Sequence, residues 1–523
     1  MQATSHDRPP DRLAAGWVAI VPALITLVVT LYRIGVPSFT RDEGATLLAV
    51  HRSFPQLIRM LGNVDVVHTE YYALIWAVTR LAGSGELAVR APSAVAMAVA
   101  AGGVTLLGQR LASGRAGLAA GLLFAAFPSV SFYAEDAREY AIVTALATVA
   151  SYLLVRSLEA GATRAGTAPR YAWLAGYAAA MSLLGLGNIL SLLLIAAHAV
   201  TVGVWRRAYG GPGRPYVLRW LVSVAVAILV ASPVAVIASG QSHQVQWIKP
   251  PGLVAIIAMA GLIGPQPMFL IVVAVVAVAL AVGLVSGRSR LRADWPAGLW
   301  GLALPWLFVP PALLFGVSVI HVIHPLYVFR YIAFCIPAAA LLAGAALAAL
   351  ARKAVGWAVA VAALVVIAAA GLPAQGSQRT PIGHGYGIRL ADQAVAARAR
   401  PGDALMNIRY WPLAWGGGVE RGMAGEYPYG LARLRDISLA RSPAPSATLG
   451  GTFARTPVEH QRLATVTRLW VASWSKAPSP LPPRLGFTLA YTLHLKGVWL
   501  RLYTRPHAAP AGGTGTIAGQ PAG

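Results

Sequence analysis

The chain has 523 residues, 57% of them hydrophobic and 11% charged, with a mean hydropathy of +0.63. Soluble domains carry about a quarter charged residues, so these figures exclude a soluble globular enzyme. Charge is scarce and basic, 42 Lys+Arg against 18 Asp+Glu for a formal +24. In a membrane protein such an excess belongs in cytoplasmic loops and at lipid head groups, and no nucleic-acid partner is expected. The single cysteine, Cys335, stands in an apolar run and rules out an intramolecular disulfide or a cysteine-based metal site.

Stretches near 20 apolar residues are long enough to cross about 30 Å of hydrocarbon. A polar segment, 1–16, precedes the first of them, 17–34. It reads as a signal anchor rather than a cleaved signal peptide. Its core is long for an h-region, and Gly35-Val36-Pro37-Ser38-Phe39 offers no small-x-small cleavage pattern. Later spans are ordered by the assignment that sends the arginines to one side: 87–107, 116–130, 141–155, a 35-residue stretch 171–205 that turns near 185–188, then 217–237, 268–285, 298–320, 331–350 and 354–372. Arg110, Arg115, Arg156, Arg164, Arg170, Arg206, Arg207, Arg214, Arg219, Arg288, Arg290, Arg292, Arg352 and Lys353 then share the cytoplasmic side. The expected fold class is mainly α, a polytopic membrane protein of about 11 transmembrane helices with its amino terminus inside and its carboxyl terminus outside.

Two apolar pieces, 71–81 and 253–263, are too short to cross and read as interfacial or re-entrant helices at the outer face. After 372 the composition turns mixed. Helical spacing at 388–400 and alternation at 404–408, 468–474 and 487–503 predict a small extramembrane α/β domain, 373–507, on the outer face. The segment 508–523, rich in Gly, Ala, Pro and Thr, reads as a disordered tail. The expected division is 1–16 cytoplasmic, 17–372 transmembrane, 373–507 outer-face domain and 508–523 tail, in a multi-pass protein of the plasma membrane.

Eight of the 18 acidic residues fall in two loops: Asp42, Glu43, Asp65, Glu70 and Glu86 after the first span, and Glu135, Asp136 and Glu139 after the third. The basic residues alone put both loops on the outer face. Carboxylates beside spans are costly unless paired, hydrated or functional, so the two loops mark a candidate site. The adjacent Asp42 and Glu43 suit general-base work, because one acid raises the other's pKa while Arg41 can hold one ionised. In the second loop Arg138 can bind a phosphate or carboxylate bidentately. Structural ion pairs, Asp136 to Arg138 or Arg41 to Glu43, are the competing reading.

Two further outer loops carry Lys249 and Arg330. Acids beside His68, His243, His321 and His324 permit a divalent metal, although no HExxH-type spacing assigns one. His198, inside a span, reads as a packing residue. These features fit an enzyme acting on a lipid-linked anionic substrate, with a carboxylate to deprotonate an acceptor and cations to stabilise a phosphate leaving group. A transporter or flippase for lipid-linked or anionic solutes is the alternative. It would place ionisable residues near the bilayer midplane, and the spans are nearly free of them.

On these motifs the chain resembles the membrane-embedded C-type glycosyltransferases, in particular the bacterial relatives of protein mannosyltransferases and lipid A aminoarabinose transferases. Asp42-Glu43 match that family's Asp-Glu pair after the first span, and His68-Thr69-Glu70-Tyr71-Tyr72 is similar to its His-Pro-Pro-Leu-Tyr-Tyr-like stretch. Ser84-Gly85-Glu86-Leu87-Ala88-Val89-Arg90-Ala91-Pro92-Ser93 resembles Ser-Glu-Leu-Ala-x-Arg-x-Pro-Ser with one residue inserted. Tyr133 through Tyr140 resembles Tyr-x-Gln-Glu-Ala-Arg-x-Tyr, and Phe329-Arg330-Tyr331 a Pro-Arg-Tyr-like entry to a late span. The departures are Glu70 where prolines are usual, and Glu135-Asp136 where Gln-Glu is usual.

The resemblance implies transfer of a sugar, mannose first, from a polyprenyl-phosphate donor to a cell-envelope lipid, glycan or protein, with inversion. It implies Asp42 as the base with Glu43 orienting it, and Asp136 and Arg138 shaping the sugar and phosphate site. Arg330, helped by Lys249, would hold the lipid phosphate. His68, Tyr71, Glu135 and His324 are further substrate-site candidates. The C-terminal domain would cover the site or bind the acceptor. Beyond membrane lipids and the donor no partner is implied; no cofactor is assigned, and a divalent metal is permitted.

Overall fold

The computed structural model describes residues 12–162, 167–209, 213–287, 296–320, 324–352, 354–407, 421–427, 429–474, 476 and 478–506. The expected tail 508–523, residues 1–11, and Arg164, Arg288, Arg290, Arg292, His321 and Lys353 lie outside the described residues.

The apolar runs fold as helices, since only an internally hydrogen-bonded backbone tolerates hydrocarbon. After α1 (Arg12–Leu31) come three short helices, α2 (Arg41–Val50), α3 (Phe54–Leu61) and α4 (Thr69–Ala82). They are followed by α5 (Glu86–Leu111), α6 (Gly114–Ala126), α7 (Pro128–Ala134), α8 (Tyr140–Ala162), α9 (Thr167–Gly187), α10 (Leu194–Tyr209) and α11 (Arg214–Gly240). The short α12 (Leu253–Ile257) precedes α13 (Gln266–Val285), α14 (Ala297–Ile320), α15 (Ile336–Leu350), which a 3-10 segment Phe329–Cys335 leads into, and α16 (Ala354–Gln378).

Among the described residues eight helices are long and apolar enough to cross a membrane, α6 and α7 form a ninth, bent pair, and Gly16–Leu31 and Tyr171–Gly187 are shorter apolar helices. Each of the eleven expected spans therefore has its helix, and the chain is a multi-pass membrane protein. The piece 71–81 is the short helix α4, and 253–263 is α12 with a 3-10 turn. The 35-residue stretch turns where expected, at Asn188, whose side chain accepts from Leu190 N. One difference is physical. The span read as continuous over 116–130 breaks at Phe127 with a 62° bend, because a residue before proline, here Pro128, avoids the helical region.

Packing is close where glycines meet backbone. A Cβ on Gly344 of α15 would come within 2.4 Å of Ala120 N on α6, and one on Gly117 within 2.3 Å of Thr105 O. Such approaches let helices gain dispersion contacts in a solvent as apolar as themselves. The span Phe329–Leu350 is 94% buried and forms the centre, whereas α16 is only 17% buried and faces outward. His198 sits wholly inside, within 3.1 Å of Ser151 Oγ and 3.0 Å of Tyr177 Oη, a satisfied packing residue.

At one end of the bundle Arg110 and Arg156 share Glu159, and Arg115 donates to Ala351 O. The acidic loops occupy the other end with the C-terminal region. There α17 (Ile388–Ala396) and α18 (Gly422–Glu426) accompany strands β1 (Ala404–Asn407), β2 (Arg435–Asp436), β3 (Leu439–Arg441), β4 (Thr452–Phe453), β5 (Arg468–Ser473), β6 (Thr488–Leu495) and β7 (Val498–Thr504). The main sheet has the order β2-β1-β5-β7-β6. Strand β1 runs parallel to both neighbours, and the β5-β7-β6 pairs are antiparallel. Its inner face shares one core with the short helices: Phe39, Leu47 and Tyr72 pack in the same cluster as Val395, Trp470 and Leu500.

The Gly344 contact predicts that Gly344→Leu drives a side chain into α6 and lowers the melting temperature of the detergent-solubilised protein, at a cost of about 1–3 kcal/mol. Gly376→Ala, with nothing within 4 Å of the added carbon, should leave it unchanged or slightly raised.

Candidate active site

Helix α2 starts with a capping box. Thr40 Oγ1 accepts from Glu43 N at 3.1 Å while Glu43 Oε2 accepts from Thr40 N at 2.8 Å. The cap places Asp42 in the first helical turn, where the positive end of the helix favours a carboxylate. Glu43 turns inward. Arg90, from the first turns of α5, grips it bidentately, Nε to Oε1 at 2.7 Å and Nη2 to Oε2 at 2.8 Å, both side chains being 0% exposed. Ala137 N, in the second acidic loop, adds a bond to Oε1 at 3.0 Å. Burial opposes ionisation of Glu43, but Arg90 outweighs it and holds the carboxyl below its ordinary range.

Asp42 points the other way. Its Oδ2 lies 3.2 Å from Arg330 Nη1 and its Oδ1 3.8 Å from Arg138 Nη2, with 24% of the side chain exposed. Burial works against its charge, yet Arg138, Arg330 and Arg41 together hold the carboxyl below the usual aspartate range. Arg138 is fixed from behind: its Nη1 donates to Tyr72 Oη at 3.0 Å, and that hydroxyl donates to Asp65 Oδ2 at 2.9 Å. Next to it Glu139 Oε2 meets His68 Nδ1 at 3.0 Å. Arg330, 31% exposed, has its guanidinium 5.6 Å from the Trp247 ring centre.

Asp136 is buried, and its Oδ1 has no partner. Burial and the charges of Glu43 and Asp42 push its carboxyl well above the aspartate range, which favours the protonated form, able to donate a hydrogen bond. Glu426 of α18 is likewise pushed up, by burial and by Glu43. Both its oxygens are buried without a partner, and it packs so closely on Gly44 that a Cβ there would lie 2.1 Å from Oε1.

Of the residues singled out from the sequence, Asp42, Arg138 and Arg330 meet directly, with His68 and Asp136 beside them. Glu43 is closed off and acts through the helix it anchors. Glu135 is fully buried between Arg379 Nη2 at 3.0 Å and His384 Nε2 at 3.1 Å, tying the second loop to the C-terminal region. Tyr71 is buried against Ser93, and it is Tyr72 that reaches Arg138. Lys249 and His324 are exposed outside the ion-pair cluster. The ion pairs considered from the sequence, Arg41 to Glu43 and Asp136 to Arg138, give way to Arg90 with Glu43 and Arg138 with Asp42.

Sequence reasoning quoted Arg90 only as part of a motif. An arginine one turn inside an apolar helix was the available signal for a buried acidic partner. Among the described residues no group of three or more His, Cys, Asp and Glu side chains is arranged to hold a metal ion.

Residues 69–237 match a family described as dolichyl-phosphate-mannose-protein mannosyltransferase. The fold is similar to ArnT from Cupriavidus metallidurans in the apo state, 16% identical with a TM-score of 0.56, covering 94% of this chain and 98% of that one. It is equally similar to ArnT of the same organism bound to undecaprenyl phosphate, at 15% identity and a TM-score of 0.56, with the same coverage. No curated protein matches the chain. The chain thus has the fold of the membrane-embedded C-type glycosyltransferases. Within that class it resembles the mannosyltransferase-like family, whose matched stretch runs from α4 to α11 and includes Arg90, Asp136 and Arg138.

The buried acids Glu43 and Glu70 each set a stability prediction. Arg90→Met leaves Glu43 buried and unpaired and should cost about 3–5 kcal/mol, read as a lowered melting temperature in detergent. Glu70, which faces Gly187, is pushed by burial from 4.5 up to about 7. The folded chain therefore binds more protons than the unfolded one in that window, and stability falls as pH rises from about 4.5 to 7. Glu70→Gln should shrink the difference between melting temperatures at pH 5 and pH 8 by raising the latter.

Proposed function

We propose that this protein is a membrane glycosyltransferase that moves a sugar, mannose first, from a polyprenyl-phosphate donor to a hydroxyl of a cell-envelope lipid, glycan or protein. The reading rests on one observation: an accessible carboxylate, Asp42, stands on a rigid helix end between two arginines at the end of the bundle where the C-terminal region packs. The description of the matched family supports a mannosyl donor, and the undecaprenyl phosphate bound to the similar ArnT supports a polyprenyl-phosphate carrier.

In this reaction the acceptor oxygen attacks the anomeric carbon on the face opposite the phosphate, and its proton passes to Asp42. The bond between the anomeric carbon and the phosphate oxygen breaks, its electron pair staying on the lipid phosphate. Arg330 and Arg138 neutralise the charge that builds there, and the anomeric centre is inverted. In its protonated form, which burial favours, Asp136 donates to a sugar hydroxyl. The site faces the extracytoplasmic side of the plasma membrane, because the opposite end gathers the arginines that retain a protein's loops in the cytoplasm. The region 373–507 roofs the site and receives the acceptor.

Asp42→Asn keeps size and hydrogen bonding but cannot take a proton. It should lower transfer from polyprenyl-phosphate sugars at least about 100-fold while membrane expression and melting temperature hold. Wild-type turnover in that variant would remove Asp42 from the mechanism.

A further inference from the structure

Asp42 is proposed to be the base, yet it lies in the grip of the two arginines proposed to hold the donor phosphate. Arg330 Nη1 and Arg138 Nη2 lie 3.2 Å and 3.8 Å from its two carboxylate oxygens. The other ion pairs of the cluster are closed: Glu43 with Arg90 is fully buried, and Glu139 with His68 nearly so. Of these three acids Asp42 has the open pair, with 24% of Asp42 and 31% of Arg330 exposed, while Arg138 lies buried behind it.

We infer that Asp42 occupies the phosphate's own cation site in the resting protein, that lipid phosphate and Asp42 compete for Arg330 and Arg138, and that donor binding is what releases the base. The inference rests on the transfer reading above and adds an order of events to it.

Three features carry it. Arg138 has no freedom to serve both anions from separate places, because it is held from behind by Tyr72 and Asp65. The turn under Asp42 is fixed by Glu43 and Thr40, so only the aspartate side chain moves aside when phosphate takes the arginines. The charge count also favours exchange. Arg138 and Arg330 face Asp42, while Glu139 is matched by His68 and burial raises the carboxyl of Asp136. One carboxylate therefore faces two guanidinium groups, and a second anion is electrostatically welcome. Held by these cations the carboxyl sits below its ordinary range, a state suited to an ion pair rather than to proton abstraction. A phosphate that takes over Arg330 and Arg138 removes that pull and restores basicity when the sugar has arrived. Before donor binds, the same pairing keeps the carboxylate from serving as a base toward water or a stray acceptor.

The test is binding of undecaprenyl phosphate to the full-length protein in nanodiscs, measured by titration calorimetry for wild type, Asp42→Asn, Arg330→Gln and the double variant. Removing the competitor should make Asp42→Asn bind about 5- to 10-fold tighter than wild type, while Arg330→Gln binds at least about 5-fold weaker. In the double variant the gain from Asp42→Asn should shrink, because half of the contested site is gone. Should the Asn variant fold poorly, Asp42→Ser gives the same reading. Affinity of the Asp42 variants equal to or below wild type, with wild-type melting temperature, overturns the competition and leaves the transfer reading intact. Failure of wild type itself to bind the lipid phosphate overturns both.

Discussion

One buried ion pair carries the geometry on which everything near the site depends. Arg90 spends every donor it has: two on Glu43 and the rest on Ile34 O, Pro37 O and Ser38 O. Glu43 in turn accepts from Thr40 N and Ala137 N. A single pair thus joins the exit of α1, the start of α2, the start of α5 and the second acidic loop. Isolated charges in such a place would be ruinous, and full hydrogen bonding on both sides is what makes the burial tolerable. The open carboxylate next door is fixed because its neighbour has no freedom.

The acids of this region divide by environment. Glu43, Glu86, Glu135 and Glu139 each meet a cationic or imidazole partner and hold segments together. Asp136 and Glu426 have no such partner, and burial raises their carboxyls. Asp42 is the most exposed of these paired acids, at 24%. The C-terminal region is bound into this arrangement. Tyr427 Oη donates to Glu86 at 2.8 Å and accepts from Phe39 N at 2.9 Å, while Arg379 reaches the carbonyls of Val29 and Tyr32. The sheet and the loop between the first two long helices share one core.

Length and charge bias made the spans legible, because about 20 apolar residues leave the chain few choices and arginines at alternate ends fix the order. The turn at Asn188 and the short helix α4 were legible for the same reason. The bend at Phe127 was written in Pro128 but hidden by the apolar run around it. Partner choice was out of reach. Arg41 is adjacent to Asp42 in sequence, yet Arg90 arrives from 47 positions away to take Glu43. Tyr71 and Tyr72 look equivalent on paper, but one helical step turns a side chain by about 100°, sending Tyr71 to Ser93 and Tyr72 to Arg138. Glu135 reads as a loop acid until His384 and Arg379 close on it from the far end of the chain. Local pattern reports which elements form, whereas long-range electrostatics decides which charges remain free.

The contact between Gly44 and Glu426 has a consequence for how such a chain diverges. The residue after the acidic pair lacks a side chain because a carboxyl contributed nearly four hundred positions later fills that space. A bulkier residue at 44 requires the Glu426 side chain to shift or shorten, whereas a shorter residue at 426 leaves Gly44 undisturbed. The capped turn at Thr40–Glu43 and the small helix α18 are thus coupled through one contact. A chimaera that exchanges the C-terminal region between distant relatives inherits this lock along with whatever specificity it was built to transfer.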